Sequence, residues 1–222
     1  ADGPMAYAWY CAAAGRGSIS GIYGLARCHI GAVGTEKNKE LGLKLLEEAA
    51  SFGKTEAMVM LGQLNARGKQ VKKNTQLSAI WFKKAADMGD GYAQLVTGDN
   101  YSNGSGLKKD GKMAMRYYLM SASHGNDVAC YNVGNAYALG RGVARSDEQA
   151  FIWLSRAAED NYMRAQFSIA EAFARGRGVQ KNIRRSFEIH KRLAEIGFAK
   201  SMYHVAYGYM EGEGVATDPV AA

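Results

Sequence analysis

Small and apolar side chains recur along the chain at i, i+3, i+4, i+7 and i+8, the stripe of one helical face. The stripes are Ala6/Trp9/Tyr10/Ala13/Ala14, Gly42/Leu45/Leu46/Ala49/Ala50, Ser78/Trp81/Phe82/Ala85/Ala86, Ala114/Tyr117/Tyr118/Ser121/Ala122 and Ala150/Trp153/Leu154/Ala157/Ala158. Each stops before a marker in the series Gly17, Gly53, Gly89, Gly125, Asn161 and Gly197, which advances in steps of 36 residues. A second helical face follows each marker, as in Ala57/Leu61/Gly62 or Ala129/Val133/Gly134/Tyr137, and closes in a glycine-rich loop such as Gly140-Arg141-Gly142-Val143 or Gly176-Arg177-Gly178-Val179. The spacing predicts the second helix of a truncated repeat at 3–16. Helix pairs follow near 18–53, 54–89, 90–125, 126–161 and 162–197, then a first helix and loop over 198–222. Ala and Gly at fixed points let helix backbones approach, while Trp, Tyr or Phe at neighbouring points fill the space between pairs. One hairpin of this kind cannot cover its own apolar face, so neighbours must stack into a single all-α solenoid over 1–222 with a concave and a convex side.

Local departures loosen the pattern without breaking it. The first loop reads Gly31-Ala32-Val33-Gly34, the second has Gln70 where a glycine is usual, and the fifth second helix reads Ser186/Ile189/His190/Leu193/Ala194. Residues 2–6 recur in phase as 218–222. This predicts a segment of a longer protein, or solenoid ends that a partner or another copy covers.

Composition narrows the class. With 222 residues, 47% hydrophobic and 22% charged, the chain can bury a sizeable core and is not disordered. No apolar run approaches the ~20 residues that span a bilayer, so no membrane insertion is expected. The 27 glycines against 2 prolines belong to the repeat. Cys11, Cys28 and Cys130 cannot all pair and read as buried thiols.

Ala-x-x-Trp-Tyr-x-x-Ala-Ala over 6–14, the run 129–134 with Tyr137, and Gly-x-Gly-Val loops at a fixed step resemble the Sel-one-like repeat family, relatives of the tetratricopeptide repeats. The resemblance implies a right-handed α-solenoid superhelix of helix-turn-helix repeats and a non-enzymatic adaptor that holds a partner protein or peptide. Cysteine-rich bacterial members carry a cysteine pair in each repeat and are discussed as binders or hydrolysers of cell-wall-like compounds. Here Cys130 has no such partner, so that subgroup does not match; a bacterial envelope protein acting on cell-wall or polysaccharide components is the alternative reading.

In tetratricopeptide-like stacks the first helices line the groove. The corresponding residues are Arg27, Met60, Gln63, Asp99, Asn100, Asn132, Asn135, Glu171, His204 and Tyr207. Amides can hydrogen-bond an extended peptide backbone while Met and Tyr supply contact area. The loops carry a second feature, a basic edge of Lys72, Lys73, Lys108, Lys109, Arg141, Arg145, Arg177, Lys181, Arg184 and Arg185, within a net charge of +7. It suits an acidic partner. The loops lack interleaved aromatics, so nucleic acid is not expected.

No catalytic residue, cofactor or metal site follows from the remaining motifs. Gly106 to Met113 nearly spells a phosphate loop, but Met113 replaces the required hydroxyl. His29, His124, His190 and His204 lack the paired spacing of a helical metal site. His124 and Cys130 read as a helix end and a core thiol, not as base and nucleophile.

Overall fold

The computed structural model describes residues 2–69 and 71–215; Gln70 and the in-phase stretch 218–222 lie outside the described residues. Among the described residues there are twelve α-helices and no strand. They fall into two compact units, Ala1–Lys109 and Asp110–Ala222. The first contains α1 (Gly3–Gly15), α2 (Ile19–Gly31), α3 (Lys39–Ser51), α4 (Thr55–Arg67), α5 (Thr75–Asp87) and α6 (Gly91–Asn103). The second contains α7 (Gly111–Ser123), α8 (Asp127–Leu139), α9 (Asp147–Ala158), α10 (Met163–Arg175), α11 (Ile183–Glu195) and α12 (Ala199–Glu211). Within each unit every helix packs on its neighbours in sequence order.

The helix starts are written into the chain. Asp2, Asn38, Asn74, Asp110, Ser146 and Asn182, one per repeat, accept the N–H three residues on and so satisfy an otherwise orphaned donor of each odd-numbered helix. The even-numbered helices end in a left-handed residue, Ala32, Gly68, Gly104, Gly140, Gly176 or Gly212. Asn161 takes the marker glycine's place with φ 62°, a conformation asparagine tolerates better than most side chains.

The second glycine of each Gly-x-Gly loop has a different task. Gly106, Gly142 and Gly178 lie against the carbonyls of Thr75, Gly111 and Asp147, the residues that open α5, α7 and α9, and a Cβ there would overlap them. These loops join consecutive repeats by backbone-to-backbone contact.

Helix glycines receive the large side chains: Gly62 faces Phe82, Gly134 faces Leu154 and Gly208 faces Phe187. In the second unit Leu154, Ile169, Ala170, Phe173, Ile189 and Leu193 form one buried cluster. Two expectations fail at α1, which buries no residue. Trp9 is 68% exposed because α1 packs chiefly on α2, and Cys11 is exposed because it lies off the packing stripe, at the position later repeats fill with Glu47, Lys83, Leu119, Ser155 and Lys191.

Candidate functional site

The even-numbered helices carry a ladder in one register: Arg27, Gln63, Asp99, Asn135, Glu171 and Tyr207, each 36 residues after the last. Beside it run Met60, Asn132 and His204, with Asn100 next to Asp99. In the first unit Arg27 and Met60 meet in a cleft of about 360 Å³ walled by Tyr10, Cys28 and Ile30. Gln63, Asp99 and Asn100 are half-buried on α4 and α6 and do not line that cleft. In the second unit Asn135 and Glu171 line a cleft of about 280 Å³ with Phe151, Ser168, Arg175 and Arg177. Asn132 is half-buried on α8 outside its lining, and Tyr207 is exposed on α12 with its ring stacked on Tyr203.

Glu171 and His204 converge on a residue the ladder does not contain. The Oε1 atom of Glu171 lies 3.7 Å from Nε2 of His190 and 3.7 Å from Nε2 of His204. Its Oε2 is held by Arg175 at 2.6 Å. The two imidazoles stack, with centroids 4.3 Å apart and planes 6° from parallel, and Phe167 presents its ring to both. His190 is buried, its Nδ1 is 3.1 Å from Ser201 Oγ, and its Nε2 has no hydrogen-bond partner. Burial, reinforced by the neighbouring His204, lowers the His190 pKa to about 4, so its ring is neutral near pH 7.

Histidine spacing predicts no metal site, yet the fold draws two of the four histidines and a carboxylate together, with ligand atoms all within 4.8 Å of one another. The signal was in the repeat. His190 stands where other second helices place Leu46, Phe82, Tyr118 and Leu154, and Ser201 stands where first helices place Ala57, Ala93, Ala129 and Ala165. Two departures at core positions bond to each other.

All ten residues of the expected basic edge are exposed. Lys72, Lys73, Lys108 and Lys109 belong to the first unit; Arg141, Arg145, Arg177, Lys181, Arg184 and Arg185 belong to the second. Arg145 pairs with Asp147 at 3.2 Å, Arg184 with Glu188 at 3.4 Å, and Arg185 lies 4.5 Å over the Phe173 ring. Lys73, Lys109, Arg145 and Lys181 each precede an N-cap, and Lys37, which lies outside the expected basic edge, does the same before Asn38.

The other motifs acquire structural roles. Cys28 and Cys130 are buried, and burial raises both thiol pKa values, which keeps them un-ionised at neutral pH. His124 caps α7, with Nδ1 3.0 Å from the Met120 carbonyl of its own helix. Gly106 lies in the turn after α6, and Gly111 opens α7.

This architecture defines a helical repeat protein whose accessible features are clefts and charged loops. The Sel1 repeat profile matches residues 1–18, 19–51, 55–90, 91–126, 127–162, 164–198 and 199–222, and the chain belongs to the Sel1 repeat family. Members of this family generally act as non-catalytic protein-interaction scaffolds. Among solved structures the chain is similar to c5321, a protective antigen of uropathogenic Escherichia coli strains displaying an SLR fold, with 28% identity, TM-score 0.87 and coverage of 97% of this chain and 46% of that one. It therefore spans about half the length of that relative. It is also similar to a Sel1 repeat protein from Oxalobacter formigenes, with 25% identity, TM-score 0.83 and coverage of 92% and 84%. No curated protein matches the chain.

Proposed function

We propose that this chain is a scaffold that binds an extended segment of a partner protein along the even-numbered helices of its second unit. The observation that carries the reading is the second-unit cleft, where Asn135, Ser168, Glu171 and Asp147 supply polar groups and Phe151 an apolar wall, with Arg177 and the Glu171-paired Arg175 in the same lining. Amides and hydroxyls pair with a peptide backbone, and an aromatic wall supplies apolar area. The exposed cations at Arg145 and Lys181, in the same unit, favour a segment rich in Asp and Glu, because like-signed loop charges attract an acidic chain over about a Debye length, ~8 Å at physiological salt.

The test is affinity capture from the native source, identification of the retained protein, and titration of its binding segment. Combined Asn132→Ala, Asn135→Ala and Tyr207→Ala substitution should weaken binding by at least about tenfold, the loss of roughly 1.4 kcal/mol. Raising the ionic strength should weaken the wild-type complex as well. Equal affinity for the triple variant would remove the ladder from the binding surface, and salt-independent affinity would remove the acidic partner.

A further inference from the structure

The repeat makes the core of the last helices unusual in a specific way. Every earlier second helix fills the His190 position with an apolar or aromatic residue, and the first helices from α4 to α10 keep the Ser201 position as alanine. Replacing both puts a polar pair into a fully enclosed site, with His190 3% and Ser201 0% exposed. A buried imidazole nitrogen without a partner is costly. His190 Nε2 is such an atom, and it faces Glu171 Oε1 at a distance too long for a hydrogen bond. A second imidazole nitrogen, from His204, faces the same oxygen at the same distance.

We propose that Glu171, His190 and His204 form a binding site for one divalent transition-metal cation of zinc-like ligand preference, which ties α10, α11 and α12 together. Two imidazoles and a carboxylate are a donor set that such ions accept. Tetrahedral ligands at 2.0–2.1 Å from zinc stand about 3.3–3.4 Å from one another, and the two nitrogen-to-oxygen edges here are 3.7 Å. Small closing shifts therefore suffice along those edges. One larger change is required: an ion must lie in the plane of each ring it binds, so the His204 imidazole turns out of its stack on His190. His204 is about one-third exposed, and its ring sits at the margin of the core.

The surrounding groups fit a ligand set. Ser201 Oγ can accept from His190 Nδ1–H, which leaves the Nε2 lone pair to the ion, and Arg175 orients the carboxylate through its other oxygen. Phe167 supplies an apolar wall against both rings. Three protein ligands leave a fourth position for water. The site stands independently of the scaffold reading.

The experiment is titration of the chelator-treated 222-residue chain with zinc chloride near neutral pH, followed by calorimetry, with X-ray absorption on the loaded protein. One equivalent should bind through nitrogen and oxygen donors alone. His204→Ala and Glu171→Gln change partly exposed side chains and so spare the core; each should lower affinity by at least about tenfold, with helicity unchanged by circular dichroism. Cys11→Ser and His124→Ala, which alter the exposed thiol and an exposed histidine, should bind as wild type does. Absence of stoichiometric binding, undiminished affinity in either site variant, a weakened site in Cys11→Ser or His124→Ala, or sulfur in the metal's coordination shell would overturn the proposal.

Discussion

Single side chains show most clearly how local identity and neighbourhood divide the work. Cys28 and Cys130 sit in the interior with raised pKa values, while Cys11 faces outward from α1. Thiol chemistry requires the thiolate and access to it. In the native protein Ellman's reagent should therefore modify Cys11 quickly and Cys28 and Cys130 more than about tenfold more slowly, because the latter react only through local opening. Three equally fast thiols would contradict the burial. The periodicity marks Trp9 as a helix-face residue but cannot say whether another helix covers that face, whereas Cys11 lies off the stripe, at the position later repeats fill with Glu47, Lys83, Leu119, Ser155 and Lys191. The same distinction explains the histidine cluster. Glu171 was legible in the even-helix ladder, His204 beside it, and His190 as a break in the core register; their convergence depends on how α10, α11 and α12 cross, which no spacing encodes. The coupled change at Ser201 was the readable clue, since a hydroxyl at an alanine position needs a partner.

Among the elements, loops and caps were legible to different depths. The N-cap of every odd-numbered helix falls on an Asp, Asn or Ser at constant spacing, so the helix starts follow from side-chain chemistry alone. The Gly-x-Gly loops were visible as turns, but the purpose of their second glycine was not, because the carbonyl it touches belongs to the preceding repeat. The two roles can be separated. Gly89 has φ +95° and open space around a would-be Cβ, so Gly89→Ala carries backbone strain alone, about 1 kcal/mol. Gly142 has φ +77°, and a Cβ there would overlap the Gly111 carbonyl, so Gly142→Ala adds overpacking and should cost about 3 kcal/mol in all. Urea denaturation of the two variants checks the difference; equal losses would show that the inter-repeat contact at Gly142 has no energetic weight.

At the scale of the molecule, contacts run between sequence neighbours within each unit, so a helix is held by what flanks it and not by a common centre. Stability must then vary along the chain. Helix α8 buries Ala129, Cys130, Val133, Gly134 and Ala136, whereas α1 buries none of its residues and α12 buries Ser201 and Gly208 alone. Amide hydrogen exchange reports local opening directly. Amides of α1 and α12 should exchange at least about tenfold faster than those of α8, a difference of roughly 1.4 kcal/mol in opening free energy. Uniform protection would mean that the chain opens as one cooperative body and that nearest-neighbour packing does not govern it. The same measurement separates the two weak helices. Neither buries a large apolar side chain, but α12 and not α1 contributes a ligand to the histidine–carboxylate cluster. Zinc should therefore slow exchange in α12 and leave α1 unchanged, since an ion bound through Glu171, His190 and His204 cross-links α12 to α10 and α11 and touches nothing in the first unit.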